Sequence, residues 1–275
     1  MRTPFNLALI QTNSGNQIAP NVATVSEMVR AARGGGADLV MLPETVSLME
    51  TRSKLIFEQV QPQESDEALK AFRALADELD IWLHTGSLPI RLSDTKIANR
   101  SFLIDPSGAV TATYDKIHMF DVDLPGGETY RESKNYQPGD RAVLADLPWG
   151  KLGMTICYDL RFPHLYRALA QGGADFICVP AAFTKVTGEA HWHVLLRARA
   201  IETGCFVFAA AQTGTHQNGR QTFGHSLIVD PWGEVIADGG KEVGIVTARI
   251  DPARIAEARG RVPSLDHDRD YAPVS

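Results

Sequence analysis

Three side chains pair a reactive group with a position where chemistry is done: Cys157, Glu44 and Lys116. Cys157 lies in Lys151-Leu152-Gly153-Met154-Thr155-Ile156-Cys157-Tyr158-Asp159-Leu160-Arg161-Phe162-Pro163. This run starts as an apolar, β-branched stretch that reads as a buried strand. Past Pro163 it changes to helical spacing, with Leu165, Ala168 and Leu169 on one face. A side chain at such a junction projects from the sheet edge into a crevice, and the backbone N–H groups after it point at whatever it attacks. The positive end of the following helix favours the thiolate, so Cys157 is a candidate nucleophile. The alternative for a free cysteine at this point is a small buried hydrophobe. Cys178 and Cys205, each inside an apolar run, are read that way.

Glu44 follows Pro43 at the end of the apolar run Ala37–Leu42, where a carboxylate costs several kcal/mol unless it is paired or neutralised. Lys116 ends the strand-like Thr113-Tyr114-Asp115-Lys116. Singly, each reads as a surface ion-pair residue. Together, a carboxylate, an ammonium and a thiol that each end a strand make a mechanism, because ligands of layered α/β folds gather at strand ends. Glu44 takes the thiol proton and Cys157 attacks a carbonyl carbon. Lys116 and the Tyr158 N–H stabilise the tetrahedral oxyanion. Ammonia or a small amine leaves with a proton from Glu44, and water activated by the same carboxylate hydrolyses the thioester. The expectation is an amidase that needs no metal and no cofactor.

The elements that must hold these groups follow from periodicity. Strands are expected at Phe5–Gln11, Ala37–Leu42, within Ile81–Pro89 and Ile97–Lys116, and then at Ala174–Pro180, Cys205–Gln212, Ser226–Ala237 and Gly244–Ile250. Helices are expected over Asn21–Arg33, over Ser65–Asp80 with Ser65 as cap, over His191–Thr203, and from Pro252. Thr45–Glu64 reads as loop plus a short helix. Ile117–Asp140 and Thr213–Gln221 read as loops, and loops as long as the first are often functional.

Two internal echoes organise the whole. Gly35-Gly36-Ala37-Asp38-Leu39-Val40-Met41-Leu42-Pro43 matches Gly172-Gly173-Ala174-Asp175-Phe176-Ile177-Cys178-Val179-Pro180 in kind, and the turn Asp105-Pro106-Ser107-Gly108 matches Asp230-Pro231-Trp232-Gly233. Two echoes in the same order predict an α/β fold of two similar halves. Each sheet would be covered by helices on one face and by its sister on the other, a four-layer α-β-β-α sandwich.

Composition bounds the rest. A chain of 275 residues, 44% hydrophobic and 22% charged, has the balance of a globular protein; it is read as a single domain over 1–275 with an exposed tail from about 262 to 275. Three cysteines without paired spacing argue against a disulfide framework and suit the cytoplasm. The start lacks the pattern of a signal peptide, and no stretch approaches the roughly 20 apolar residues that span a bilayer. A net charge of −6 with scattered basic residues disfavours nucleic acid as partner.

Leu42-Pro43-Glu44, Tyr114-Asp115-Lys116-Ile117-His118 and Ile156-Cys157-Tyr158-Asp159-Leu160-Arg161-Phe162-Pro163 resemble the three signature stretches of the nitrilase (carbon–nitrogen hydrolase) superfamily. The resemblance covers nearly the whole chain. It implies an α-β-β-α sandwich, a Glu-Lys-Cys triad on Glu44, Lys116 and Cys157, and a homodimer or larger homo-oligomer. It also implies a second active-site glutamate after the lysine; Glu132 in Arg131-Glu132-Ser133 is the better match and Glu128 the fallback. Pro180-Ala181-Ala182-Phe183-Thr184, the helix Ala190–Thr203, Gly224-His225-Ser226 and Val229-Asp230-Pro231-Trp232-Gly233 resemble the Nit branch. That branch holds deaminated glutathione amidases and ω-amidases acting on α-keto acid amides. Phe120-Asp121-Val122-Asp123-Leu124-Pro125-Gly126 is similar to the ω-amidase type, whereas Ala190–Thr203 and Ala209-Ala210-Ala211-Gln212 resemble the deaminated glutathione amidase type, which is preferred. N-carbamoyl amino acid or nitrile hydrolysis, and a silent scaffold of the same fold, are the competing readings.

Around this centre, Phe183 is a candidate pocket wall. Arg161 either holds a substrate carboxylate bidentately or braces the loop after Cys157. His191 and His193 diverge by about 200° on a helix, so they are not joint metal ligands. Arg197 and Arg199 are expected in ion pairs. Gly34-Gly35-Gly36 follows a helix and lacks dinucleotide-site spacing.

Overall fold

The computed structural model describes residues 3–124 and 127–272. Outside them lie the start of the chain, Pro125 and Gly126 of the ω-amidase-like stretch, and the last three residues of the expected tail. The first half runs β1 (Phe5–Gln11), α1 (Ile18–Gly34), β2 (Leu39–Met41), α2 (Ser53–Gln59), α3 (Glu67–Leu79), β3 (Trp82–His84), β4 (Leu88–Arg91), β5 (Ile97–Ile104) and β6 (Val110–Asp115). A small hairpin, β7 (Asp121–Asp123) and β8 (Thr129–Arg131), precedes the second half. That half runs β9 (Val143–Leu147), β10 (Gly150–Met154), α4 (Pro163–Gln171), β11 (Phe176–Cys178), α5 (Lys185–Thr203), β12 (Phe206–Ala209), β13 (Thr213–Thr215), β14 (Gln221–Phe223), β15 (Leu227–Val229), β16 (Val235–Asp238), β17 (Gly244–Ile250) and α6 (Ala253–Arg261).

The echoes in the sequence become two sheets of like order. One runs β17-β1-β2-β3-β5-β4, with β6 on β5; the other runs β9-β10-β11-β12-β15-β16. In each, three parallel strands are flanked by antiparallel ones. The two hairpin turns match atom for atom. Asp105 Oδ1 accepts from Ser107 N at 2.9 Å and Ala109 N at 3.0 Å, and Asp230 Oδ1 accepts from Trp232 N at 3.0 Å and Glu234 N at 2.8 Å.

Strand alternation sorts the faces. Ala8, Ile10 and Val40 pack with Val25, Val29 and Ala32 of α1 and with Leu69, Phe72, Leu75 and Ala76 of α3. Phe5, Leu7, Leu9, Leu39 and Met41 turn the other way, into the core that holds Leu152, Met154, Phe176 and Phe208. Phe5 meets Phe176 edge-on across the two sheets at 5.5 Å. The α-β-β-α layering follows from these two apolar faces.

Several boundaries differ from expectation. Asp66, not Ser65, caps α3, because its side chain accepts from Leu69 N at 2.8 Å. α5 starts at Lys185, well before His191. Both long loops carry hairpins, β7–β8 and β13–β14, whose strands are too short to show alternation. Pro252 stands as the cap of α6 rather than inside its first turn. The C-terminal segment is held in part: Leu265 packs on the core and Asp268 pairs with Arg167 at 2.8 Å.

Candidate active site

β2, β6 and β10 deliver the three reactive groups to one place. Glu44 follows β2 through Pro43, and its corner is fixed by a close backbone approach. A Cβ on Gly86 would lie 2.0 Å from the Pro43 carbonyl oxygen, and Gly86 has φ +64°, so only glycine fits there. Lys116 is the first residue after β6. Cys157 does not close its strand. β10 ends at Met154, and Cys157 opens a 3-10 turn, Cys157–Arg161, with φ 47° in the left-handed region. That costly conformation for a non-glycine residue turns the thiol out of the line of the strand.

The side chains form one buried network. Lys116 Nζ stands 2.9 Å from Glu44 Oε1, and 3.0 and 2.9 Å from the two oxygens of Glu132. Asn99 Nδ2 donates to Glu44 Oε1 at 2.9 Å and reaches Glu132 Oε1 at 3.3 Å. Ala182 N donates to Glu44 Oε2 at 2.7 Å, and Phe120 N to Glu132 Oε2 at 2.6 Å. The Cys157 thiol shares the cavity with Glu44, whose charge acts on its ionisation. Relative exposure is 4% for Glu44, 2% for Lys116 and 6% for Cys157, so water screens little of this.

Charge settles who holds the proton. Burial pushes the Glu44 carboxyl up, but the Lys116 ammonium beside it, helped by Arg220, wins, and the carboxyl falls below the usual glutamate range. Burial pulls Lys116 down, but Glu132 and Glu44 hold it well above the ordinary lysine value. Burial and the Glu44 anion together drive the Cys157 thiol well up, against Lys116. The resting site therefore contains a carboxylate, an ammonium and a neutral thiol. This corrects the expectation of a thiolate stabilised by a helix end: the turn at Cys157 is a short 3-10 segment, and an anion stands next to the sulfur.

These groups line a cavity of about 600 Å³. Tyr158 and Phe183 line it too, as does Glu128. Glu128 bonds Tyr130 Oη at 3.0 Å and is exposed, whereas Glu132 is the carboxylate on Lys116. Arg161 does not line the cavity. Its guanidinium lies over the rings of Phe183 and Tyr158 and reaches His191 Nδ1 at 3.3 Å. Two guanidiniums line the cavity: that of Arg131, paired with Asp123 at 2.8 Å, and that of Arg220, which donates to Ala182 O and lies over the Tyr130 ring at 5.2 Å. The loop after Cys157 is braced instead by Arg199, which donates to Leu160 O at 3.0 and 2.7 Å besides pairing with Glu202. Arg197, also expected in an ion pair, makes none among the described residues; its Nε donates to Gly233 O at 2.7 Å. Asn99 and Arg220 carried no sequence signal, since each sits inside an ordinary strand or loop pattern, and for Arg199 the sequence pointed only to an ion pair. Cys178, driven up to about 12 by burial, packs between the sheets 3.4 Å from His84 Nε2.

Four-layer geometry with strand-end chemistry defines a hydrolase of carbon–nitrogen bonds. Residues 6–260 match the carbon-nitrogen hydrolase family, and the chain belongs to it. The deaminated glutathione amidase of Yersinia enterocolitica is 43% identical over 268 residues, 96% of this chain and 93% of that protein. The human deaminated glutathione amidase is 40% identical over 268 residues, 96% of this chain and 82% of that one. The C. elegans NitFhit protein superposes with a TM-score of 0.91 at 36% identity, over 98% of this chain and 66% of that longer one. Saccharomyces cerevisiae Nit3, of branch 10 of the nitrilase superfamily, gives 0.85 at 29% identity over 94% of each chain. The protein is a Nit-branch amidase, hydrolysing carbon–nitrogen bonds other than peptide bonds. Among the described residues, no helix is long and apolar enough to cross a membrane.

Proposed function

We propose that this amidase acts on deaminated glutathione, with Cys157 as nucleophile, Glu44 as proton carrier, Lys116 as oxyanion donor and Glu132 as the group that holds Lys116. The observation that carries the reading is a buried Glu44 carboxylate that bonds Lys116 Nζ at 2.9 Å in the same cavity as the Cys157 thiol, whose ionisation it opposes. Glu44 accepts the thiol proton as Sγ bonds to the amide carbon. The amide oxygen gains the negative charge, which Lys116 and the Tyr158 N–H stabilise. Collapse breaks the C–N bond as Glu44 returns the proton to nitrogen. Water then adds to the thioester while Glu44 takes its proton, and the carboxylate leaves with the thiol restored.

The cavity volume of about 600 Å³ suits a tripeptide-sized ligand, and the names of the relatives supply the substrate. The amide nitrogen of deaminated glutathione belongs to cysteinylglycine, so that dipeptide, not ammonia, is the amine released; α-ketoglutaramate would release ammonia. Incubation of the protein with each compound, with both products measured, tests the reading. Higher kcat/KM for deaminated glutathione supports it; preference for α-ketoglutaramate makes the protein an ω-amidase; and turnover by folded Cys157→Ala overturns the mechanism. Three further expectations go with this reading: one hydrolase domain over the chain, a cytoplasmic setting, and a homodimer or larger homo-oligomer. Val194 and Ile201, 67% and 55% exposed on α5, support the last, and light scattering checks it.

A further inference from the structure

His193, set aside above as a partner for His191, finds different partners in the fold. Its Nε2 lies 3.1 Å from Asp238 Oδ2, and His225 Nδ1 lies 2.9 Å from Asp238 Oδ1. One atom from each of the three residues falls within 4.8 Å of the other two. The imidazoles meet edge to face with centroids 5.1 Å apart. The three come from α5, from the corner between β14 and β15, and from the end of β16.

We propose that His193, His225 and Asp238 form a binding site for a divalent transition-metal ion of the zinc class, separate from the hydrolytic cavity. Zinc takes imidazole nitrogen and carboxylate oxygen at about 2.0–2.2 Å, which in a tetrahedron sets neighbouring donors about 3.3 Å apart. Asp238 Oδ2 lies 3.1 Å from both His193 Nε2 and His225 Nδ1, close to that before any adjustment, and the two nitrogens lie within 4.8 Å of each other. Two imidazoles and one carboxylate suit zinc, cobalt or nickel rather than calcium or magnesium, which prefer oxygen alone. Water would fill the remaining position, for which the site has access: the side chains are 36%, 19% and 34% exposed for His193, His225 and Asp238.

The supporting bonds hold the donors in place. His225 N donates to Gly240 O at 2.6 Å and His225 O accepts from Trp192 Nε1 at 2.8 Å, which locks a residue at φ 55°. Phe223 stacks on the His225 ring with centroids 4.5 Å apart, and Gly240 N donates to Asp238 Oδ1 at 2.8 Å. Such outer contacts orient metal-binding imidazoles and carboxylates. Without metal, each ring N–H is shared with Asp238. On binding, each ring switches its proton to the other nitrogen, or loses one if charged, and the freed lone pairs and the carboxylate take the ion. The ion would staple α5 to the β15–β16 hairpin and so stabilise the folded chain.

The test uses the full chain carrying Cys157→Ala, so that the thiol contributes nothing, after stripping with EDTA. Equilibrium dialysis against Zn²⁺ should retain one ion per chain at micromolar free metal, and Co²⁺ should give the visible bands of a low-coordinate site. His193→Gln and Asp238→Asn should each weaken retention about tenfold or more. Zn²⁺ should raise the unfolding midpoint of the parent and leave that of His193→Gln unmoved. His193 is a surface residue of α5, so this variant folds, and its unfolding in EDTA should match the parent. Absence of retention at micromolar metal, or retention unchanged by His193→Gln, overturns the proposal.

Discussion

Asp159 Oδ2 accepts the Tyr114 hydroxyl at 2.7 Å, tying the turn that carries Cys157 to the strand that delivers Lys116. The same side chain also accepts from Ile156 N at 2.9 Å, His118 N at 3.0 Å and His118 Nδ1 at 2.7 Å, and none of it is exposed. Asp159 thus ties the turn of Cys157 to the segment of Lys116, and a positioning role in the proposed mechanism predicts what its loss does. Asp159→Asn replaces one accepting oxygen by an amide donor that faces donors, and each buried bond to a charged group is worth about 1.5–3 kcal/mol. The expected result is a fall in kcat of about a hundredfold with KM little changed, and a lower unfolding midpoint. Tyr114→Phe, which removes one bond, should lose less of both. Equal losses of stability with unchanged kcat would make Asp159 merely structural.

The titration of the site has a defined sign. Glu44 is depressed when folded, so its stabilisation is present above its unfolded value and is lost as pH falls through the folded one. Lys116 is raised, so its contribution is present below its unfolded value and is lost as pH rises through the folded one. The site is stable across neutral pH, and the acid limb of kcat/KM should lie below the ordinary glutamate range. Alkylation of Cys157 by iodoacetamide should keep accelerating from neutral to alkaline pH. A plateau already reached at acid pH would show a resting thiolate. Glu44→Gln removes the neighbouring anion, so its thiol should titrate at lower pH than the parent's while amidase activity falls by about 10²–10⁴.

Lys116 is a single buried cation between two carboxylates, which makes its substitutions unequal to those of its partners. Lys116→Met leaves Glu44 and Glu132 facing each other without a counter-charge, and breaking a buried pair in this way costs about 3–5 kcal/mol. Glu132→Gln leaves the Glu44–Lys116 pair intact. Thermal unfolding should therefore show a much larger loss for Lys116→Met. Adding Glu132→Gln to it should recover part of that stability without restoring activity.

How much of this was legible in the sequence can be argued from particular residues. Glu44 and Lys116 stand out because charged residues beside apolar strand ends demand an explanation, whereas Glu132 comes from the family resemblance alone. The doubled architecture was visible because the Asp105 and Asp230 turns repeat the same chemistry at corresponding places. What stayed hidden depends on meetings across the two sheets. Ala182 N on Glu44, Arg199 on Leu160 O and Arg220 in the cavity wall each join segments far apart in the chain. Arg161, inside the signature stretch, reads as either a carboxylate clamp or a brace of the loop after Cys157; the fold places Arg220 in the cavity and Arg199 on that loop. The ionisation state of Cys157 was misread for a related reason. Adjacency along the chain suggested a helix end, while the nearest charge comes from a strand more than a hundred residues earlier.

Arg220 carries the last prediction. It lines the cavity, its terminal nitrogen donates to Ala182 O, and its buried Nε has no partner among the described residues, which leaves donor capacity in the cavity that holds Cys157. A guanidinium with a spare N–H recognises carboxylates in a planar, two-point manner. Arg220→Met should raise KM for an amide that bears a carboxylate by about tenfold or more, whereas kcat/KM for a neutral amide such as propionamide should change much less. Arg220 also helps to depress the Glu44 carboxyl, so its removal should move the acid limb of kcat/KM to higher pH. Lysine at this position would restore the charge and therefore the limb, but not the two-point contact, so Arg220→Lys should recover the pH profile and keep the raised KM. Parallel losses on charged and neutral amides would instead assign Arg220 to holding Ala182 and the cavity wall.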